Sequence, residues 1–169
     1  MYTDPNDPEL LASPFDSEGL PLKRVVYIEN GILKNFSYDR FWAQRQGVRA
    51  TGGGGGFGGG GGGFKMLGGD SSIDAMIRGT ERGVLVTRLW YLRAVDQRTL
   101  VYTGLTRDGT FLVENGRISR SIKNFRFNDS PLLMLNKVDA IGPTVRTDGG
   151  MFPAIKARDF AFTSLSDAV

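Results

Sequence analysis

The sequence contains no cysteine and no histidine among its 169 residues. Without cysteine there are no disulfides and no thiolate metal ligands. Without histidine there is no His-ligated zinc, no Ser-His-Asp or Cys-His catalysis, and no imidazole general base. The carboxylates Asp108, Glu114 and Asp129 remain, but Asp108 and Glu114 precede glycine-containing turn signals, and ordinary turn chemistry explains them. The residue types therefore exclude most hydrolase mechanisms for this chain alone.

Long apolar runs and a strong net charge are also missing. No stretch approaches the ~20 apolar residues of a membrane span, and the acidic, proline-broken start is unlike a signal peptide. We therefore expect no membrane anchor and no membrane partner. The net charge of +3 is too small to indicate nucleic acid by itself. A cysteine-free chain is compatible with a cytoplasmic location, which is the location that we expect.

Proline breaks up the start of the chain. Pro5, Pro8 and Pro14 predict an extended segment over residues 1–19 with no helix or strand of its own, like a piece cut from a longer chain. The remaining residues, 20–169, have the length and the apolar content of one globular domain. We therefore expect an extended N-terminal segment followed by a single β-domain.

Glycine is concentrated in one place, because eleven of the twelve residues from Gly52 to Gly63 are glycine. A phosphate-binding loop needs Lys and Ser or Thr directly after its last glycine, at the start of a helix. Here Gly63 is followed by Phe64 and Lys65, and the residues before the run are not a strand. The run therefore predicts a flexible loop over residues 52–69 and not a nucleotide-binding site.

Turn signals and periodicity predict an α+β, β-rich fold: a largely antiparallel, barrel-like sheet of hairpins with two or three short helices. Asn30-Gly31 is the preferred pair for a two-residue hairpin turn. Residues 83–96 are largely apolar on both faces, which is typical of a central strand. Asp108-Gly109 and Asn115-Gly116 indicate the two turns of a meander that follows. Capping signals place the helices at residues 40–46, 72–79 and 130–141.

Basic and aromatic residues alternate along the predicted meander and suggest an alternative function. Such a surface is typical of a single-stranded nucleic-acid-binding module. The solvent face of an ordinary sheet has the same pattern, so both interpretations stay open. The residues concerned are Arg88, Arg93, Arg107, Arg117, Arg120, Lys123 and Arg126 with Trp90, Tyr91, Phe125 and Phe127.

Three motifs follow one another in a fixed order: "IENGIL" with a later "ATG", then "RGVLVTRLWYLR", then "TRDGTFLVENGRI". In this order they resemble the C-terminal part of the TldD/PmbA family of metallopeptidases. The resemblance extends from about Asp4 to the C-terminus. It implies a two-part protein in which this chain corresponds to the β-rich, barrel-like C-terminal portion.

The resemblance also implies where the family's zinc is bound. In active members two histidines of a His-Glu-x-x-x-His helix in the preceding part hold the metal, with a cysteine from a late C-terminal loop. The glutamate of that helix is the general base on zinc-bound water. This chain has no such helix, and residues 140–156, where the loop falls, contain no cysteine. The resemblance therefore transfers no catalytic residue and no cofactor to this chain.

Two explanations fit the resemblance. The chain is a piece of a peptidase that acts on unfolded peptides, or it comes from a member that lacks the metal and serves as a partner subunit. Either way the expected partners are the missing N-terminal domain, a homologous subunit in a dimer, and a peptide held at a sheet edge by strand addition; nucleic acid is not expected. The side chains expected to touch substrate are Tyr91, Arg93, Arg107 and Asp108.

Overall fold

The computed structural model describes residues 1–52 and 63–166 of the chain. These residues belong to two compact units. The first combines Met1–Gly69 with Pro143–Pro153, and the second combines Asp70–Gly142 with Ala154–Val169. No helix among the described residues has the length and the apolar character needed to cross a membrane. Two strands have residues in both units, namely β10 Val138–Thr147 and β11 Gly150–Ala157.

The first unit is built from short strands and one helix. Its own elements are β1 Tyr2–Thr3, β2 Val25–Val26, β3 Ile28–Glu29, β4 Ile32–Leu33, α1 Arg40–Gln46 and β5 Phe64–Lys65. The sheet has the strand order β10-β11-β5-β1-β2, in which β5 pairs with β11 in parallel and with β1 in antiparallel fashion. Strands β3 and β4 form a separate hairpin, and the positive φ angles of Asn30 and Gly31 close it. The predicted hairpin is therefore confirmed.

The start of the chain forms a strand and several side-chain hydrogen bonds in this unit, which its prolines did not predict. Strand β1 pairs with β2 on one side and with β5 on the other. The hydroxyl of Tyr2 donates a hydrogen bond to Asp7 Oδ2 over 2.8 Å, and Lys65 Nζ donates to the same oxygen over 3.1 Å and also to Glu9. These carboxylates, Glu9 first and Asp7 second, raise the pKa of Lys65 above its ordinary value. The expectation that this segment has no strand of its own was therefore wrong.

The predicted flexible loop at 52–69 falls mostly on residues 53–62, which lie outside the described residues. Regular backbone resumes at Phe64, in β5, and not after residue 69. Gly52 has a φ of 74°, and a Cβ added there lies 2.9 Å from Leu22 Cδ2. A Cβ added at Gly63 lies 3.3 Å from Gly150 Cα. Glycine is therefore favoured by local geometry at both ends of the run.

The second unit is built around one antiparallel sheet of longer strands. Besides the shared β10 and β11, its elements are α2 Ile73–Arg78, β6 Arg82–Asp96, β7 Val101–Glu114, β8 Arg117–Ser121, β9 Asn124–Asp129, α3 Pro131–Leu135 and β12 Phe162–Ser166. The strand order is β12-β9-β7-β6, with β8 paired to β7 beside it. The predicted β-rich, largely antiparallel fold is confirmed, although the strand pairings of the described residues close no barrel.

All three predicted helices are present, and the first two have the predicted extent to within about a residue. The carboxylate of Asp39 accepts the amide of Trp42 at the start of α1, and Gly47 ends this helix with a φ of 65°. Helix α3 is shorter than predicted, because it ends at Leu135 and residues from Val138 onward enter β10. A β-branched residue such as Val138 favours a strand, and the pairing with β11 decides the outcome.

Strand β6 lies at the edge of its sheet, so the prediction of a central strand was wrong. Its first apolar residues, Val84 to Val86, are half-buried, whereas residues 87–96 are exposed. Apolar residues on both faces are typical of a strand that is covered on both sides. Within the part of the chain that the structure describes, residues 87–96 are not covered in this way.

The Asp108-Gly109 pair is not a turn. It lies within β7, where these two residues stand opposite Thr87 of β6 and form a β-bulge. Asp108 has a φ of 63° and Gly109 a φ of 149°. The Asp-Gly pair therefore marks backbone with positive φ angles, but in a bulge and not in a turn. The chain reverses instead between Asp96 and Val101, without a glycine. The second predicted turn, at Asn115-Gly116, is confirmed between β7 and β8.

Candidate functional site

The exposed half of β6 and the part of β7 paired with it form a two-stranded ribbon, residues 87–107, at the edge of the second unit's sheet. Large apolar side chains on β6 remain exposed along this ribbon. Tyr91 is 55% exposed and Leu92 is 57% exposed. Leu89, Trp90 and Val95 share this exposure. An apolar edge strand is a ready template for pairing with another chain, so the ribbon is a candidate binding surface.

A β-bulge on β6 gives Tyr91 its position on the ribbon. Tyr91 and Leu92 together stand opposite Gly104 of β7. Tyr91 has a φ of 55°, which is uncommon for a bulky residue and marks stored backbone strain. A Cβ added at Gly104 lies only 2.5 Å from Phe127 Cζ, so a larger residue does not fit there. Gly104 is also the register partner of Phe127 on β9, so glycine at this position permits the close pairing of β7 with β9.

Two arginines and a tryptophan share one face of the ribbon. Arg88 and Arg107 are register partners on β6 and β7, so they lie side by side across the strands. Their guanidinium carbons lie 4.6 Å and 5.3 Å from the centroid of the Trp90 ring. Stacking of this kind orients a guanidinium and reduces the entropy that it loses on binding. Arg88 and Arg107 are called the arginine pair below.

The bulge in β7 brings a carboxylate to the arginine pair. Asp108 Oδ2 lies 2.7 Å from Arg88 Nη1, and Asp108 Oδ1 lies 3.5 Å from Arg107 Nε. Like charges directly opposite on neighbouring strands destabilise a sheet, and Asp108 offsets this repulsion. The three side chains are 48%, 37% and 48% exposed for Arg88, Arg107 and Asp108. The cluster is therefore accessible from solvent.

Buried threonines flank the bulge that carries Asp108. Thr110 Oγ1 donates to Thr106 Oγ1 over 2.8 Å and lies 2.9 Å from Asn124 Oδ1. Thr106 Oγ1 accepts the amide of Phe125 on β9 over 2.9 Å. Because the two threonines lie on either side of Asp108-Gly109, this network fixes the bulge to β9. Hydrogen bonds to β9 therefore fix the backbone that carries Asp108.

The four residues predicted to touch substrate fall into two contacting pairs on the ribbon. Arg107 contacts Asp108, and the Arg93 guanidinium carbon lies 4.7 Å from the centroid of the Tyr91 ring. Their role in substrate binding stays a prediction. Sequence reasoning did not include Arg88 and Trp90 among these substrate contacts, although the two-residue period of a strand places both on one face.

The predicted basic and aromatic surface for nucleic acid is not assembled as one platform. Phe127 is buried, and Phe125 packs against Phe162 with 4.9 Å between ring centroids. Trp90 and Tyr91 are exposed, but arginine side chains already stack on both. Two of the four aromatic rings are therefore used inside the sheet's own packing.

The donor groups of this chain differ from the zinc ligands that the resemblance implies. The sequence has neither histidine nor cysteine, and the part of the chain that the structure describes brings no three metal-binding side chains together. Asp129 is buried and accepts the amides of Ser130 and Ala161 over 2.7 Å and 3.0 Å. Its carboxylate thus has a structural role.

Comparison with known proteins identifies the family. The model of the PmbA/TldA metallopeptidase C-terminal domain matches residues 1–164. The chain belongs to this family. A metalloprotease TldD homolog from Buchnera aphidicola is 30% identical over 142 residues, which are 80% of this chain and 29% of that protein. A zinc metalloprotease TldD homolog from Saccharolobus solfataricus is 25% identical over 133 residues, which are 75% of this chain and 29% of that protein.

Part of a solved structure has the same fold as this PmbA/TldA-type domain. The crystal structure of TldE from Thermococcus kodakarensis matches with a TM-score of 0.71 and 24% identity, over 98% of this chain and 39% of that one. At this identity the match shows the fold alone. The chain spans less than a third of the length of the two curated relatives.

Proposed function

We propose that this chain acts as the C-terminal domain of a TldD/PmbA-type metallopeptidase for unfolded peptides, or of the metal-free partner subunit of such an enzyme. The observation that carries the proposal is the family match over residues 1–164. Relatives that share this region are named metalloproteases, and one of them a zinc metalloprotease. In this proposal the domain does not carry out the chemistry but forms part of the substrate cleft.

The ribbon supports a role in holding an extended peptide. Strand β6 is the last strand of its sheet, so within the described residues no strand pairs with its outer edge. An extended peptide that adds there gains backbone hydrogen bonds whatever its sequence. Exposed side chains such as Leu89 and Leu92 then pack against the peptide's own side chains. Such binding suits an enzyme for unfolded peptides.

The zinc and its ligands are, in this proposal, supplied from outside this chain. The chain offers neither imidazole nor thiolate donors, which zinc favours in proteins. A part that carries the metal must then dock onto this domain. Exposed apolar side chains of the first unit, among them Phe36, Phe41 and Trp42, suit such an interface, since monomeric proteins rarely leave large apolar patches uncovered.

A peptidase assay with the purified chain, the homologous subunit and both together tests the proposal. We expect no cleavage of an unfolded, fluorescently labelled peptide by the chain alone. A complex that contains a zinc-bearing part is expected to cleave it, and a chelator is expected to stop this. Cleavage by the 169-residue chain alone, abolished by a chelator, would place the catalytic site in this chain and contradict the proposal.

A pair of matched variants tests the role of the ribbon separately. Leu92→Lys places a charge on the β6 edge, and lysine at an edge opposes the addition of another strand. Leu11→Lys introduces the same charge at a site that is 86% exposed and far from β6 in sequence. We expect Leu92→Lys to weaken peptide binding by about tenfold, equivalent to ~1.4 kcal/mol, and Leu11→Lys to leave it unchanged. Equal affinities of the two variants would contradict peptide binding at β6.

A further inference from the structure

We propose that the arginine pair is a subsite for a carboxylate side chain, so that this domain selects extended peptides that carry Asp or Glu. This inference rests on the proposed function, because it places the peptide along β6. In this proposal Asp108 occupies the arginine pair in the free protein and competes with the carboxylate of the incoming peptide.

Charge balance at the arginine pair is the first argument. Among the described residues, Arg88 and Arg107 share one carboxylate, that of Asp108, so one positive charge remains in excess. Each guanidinium has five N–H donors. Asp108 approaches one nitrogen of each, closely only in Arg88, where the distance is 2.7 Å, against 3.5 Å in Arg107. Donors therefore remain for a second carboxylate, and charge-assisted hydrogen bonds of this type are strong.

The charge distribution of the surrounding sheet is the second argument. From Arg88 to Arg126 the sequence has eight Arg and Lys residues against three Asp and Glu residues. The whole chain has a net charge of only +3, so positive charge is concentrated on β6 to β9. A concentrated field of one sign attracts a partner of the opposite sign. The charge complementarity therefore favours an acidic occupant.

The geometry of an extended peptide fits this arrangement. Alternate residues of a strand lie on one face, about 6.6 to 6.8 Å apart. A peptide added along β6 can thus place one carboxylate at the arginine pair and an apolar side chain two residues away. Trp90 is two residues from Arg88 and lies on the same face. A peptide in which an acidic and an apolar residue lie two positions apart, as in Glu-Thr-Val, is the simplest ligand that satisfies both.

Single-stranded nucleic acid is also anionic, but the sheet favours a peptide. Nucleic-acid sites of this kind stack successive bases on a series of free aromatic rings. Here Phe127 is buried and Phe125 packs on Phe162. The two exposed rings, those of Trp90 and Tyr91, are covered by arginines. Peptide binding needs no free ring, because the strand edge supplies its backbone partners.

Fluorescence anisotropy with the full 169-residue chain tests the inference. The probes are a labelled octapeptide with the sequence Glu-Thr-Val-Thr given twice, the same peptide with Gln in place of Glu, and labelled oligothymidylate. We expect the Glu peptide to bind about tenfold more tightly than the Gln peptide at ~20 mM salt. At ~200 mM salt this preference is expected to shrink, since screening weakens exposed charge pairs.

Three variants assign the preference to the arginine pair. Arg107→Gln is expected to remove the preference for Glu over Gln. Arg98→Gln changes the net charge equally in the β6–β7 turn and is expected to retain most of the preference. Asp108→Asn is expected to raise affinity for the Glu peptide several-fold, because it removes the competing carboxylate while asparagine still tolerates the positive φ. Circular dichroism of each variant verifies that it is folded.

The outcomes separate this inference from the proposed function. Equal binding of the Glu and Gln peptides overturns the carboxylate subsite and leaves peptide binding at β6 intact. The subsite is likewise overturned if Arg107→Gln loses no more of the preference than Arg98→Gln, or if Asp108→Asn weakens binding. Tighter binding of oligothymidylate than of the Glu peptide overturns the inference in favour of nucleic acid. If neither peptide binds, the subsite is overturned, and cleavage by the complex decides the proposed function.

Discussion

Arg88 and Arg107 lie directly opposite each other on neighbouring strands, and the carboxylate of Asp108 contacts both of them. Two like charges in these positions repel each other. The β7 bulge resolves the conflict, because it turns Asp108, the next residue after Arg107, toward the pair. The bulge thus brings one carboxylate to two guanidinium groups. The cluster therefore keeps one positive charge in excess.

Asp108→Asn is predicted to destabilise the domain slightly. The variant keeps a side chain that tolerates a φ of 63° but leaves the arginine pair without its carboxylate. Because all three side chains are partly exposed, we expect the free energy of unfolding to fall by no more than about 1 kcal/mol. Urea denaturation at low salt measures the change. At ~0.5 M salt the difference is expected to shrink.

A double variant is the control for this prediction. Adding Arg88→Gln to Asp108→Asn removes one of the two opposed charges, so we expect part of the lost stability to return. Non-additive changes of this kind are the signature of direct coupling. An Asp108→Asn variant that is as stable as the wild type at low salt would show that Asp108 does not offset the repulsion.

Gly104→Ala is predicted to be clearly destabilising. A methyl group at this position lies 2.5 Å from Phe127 Cζ and 2.7 Å from Phe127 Cε1, and Phe127 is buried. The ring has to shift within a packed core, which costs about 1–3 kcal/mol. Gly149→Ala is the matched control, because no atom lies within 4 Å of its added Cβ. Thermal unfolding of both variants measures the difference. Equal melting temperatures would contradict the close approach at Gly104.

Local signals in the sequence predicted the short elements well. The Asn30-Gly31 hairpin and helix α1, with its Asp39 cap and its Gly47 end, depend on neighbouring residues, and the structure has both. Asn115-Gly116 is a turn for the same reason. Such features are decided within a few residues of the chain, so a single sequence contains the information.

The predictions that were wrong concern features that depend on distant parts of the chain. Asp108-Gly109 has the composition of a turn, yet this stretch of β7 pairs with β6 and forms a bulge. The apolar pattern of residues 83–96 indicates burial on both faces, but it does not say whether this chain supplies the cover. Tyr91, Arg93, Arg107 and Asp108 were placed on one strand and its neighbouring turn. Which of these side chains stack or form ion pairs depends on the register of β6 against β7. The sequence alone did not determine that register.

Thr106→Val is predicted to destabilise the sheet although the change preserves the side chain's shape. Thr106 is 1% exposed, and its hydroxyl accepts the amide of Phe125. Valine leaves this amide without its acceptor, at a cost of about 1–3 kcal/mol. Thr163→Val removes an exposed hydroxyl that donates to Arg126 O over 3.3 Å and is expected to be nearly neutral. Chemical denaturation of both variants makes the comparison, and a neutral Thr106→Val would mean that the network does not brace the bulge.

Acid is predicted to weaken the β6–β7 turn through Asp96. The Thr99 hydroxyl donates to Asp96 Oδ2 over 2.7 Å, and the amide of Arg98 donates to Oδ1 over 2.9 Å. These bonds, that of Thr99 first, lower the pKa of Asp96 below its ordinary value. A carboxyl group with a lowered pKa stabilises the fold above its ordinary pKa of about 3.9, and this contribution is lost as the pH falls through the folded-state pKa.

The comparison of wild type with Asp96→Asn between pH 7 and about pH 2.5 measures this contribution. We expect the variant to be less stable at pH 7, where the carboxylate accepts both bonds, and the gap to close on acidification below about pH 4, where the wild-type carboxyl becomes protonated. Thr99→Ala removes only the hydroxyl donor, so we expect a smaller gap with the same pH dependence. A gap between wild type and Asp96→Asn that stays constant over this pH range would show that ionisation of Asp96 does not stabilise the turn.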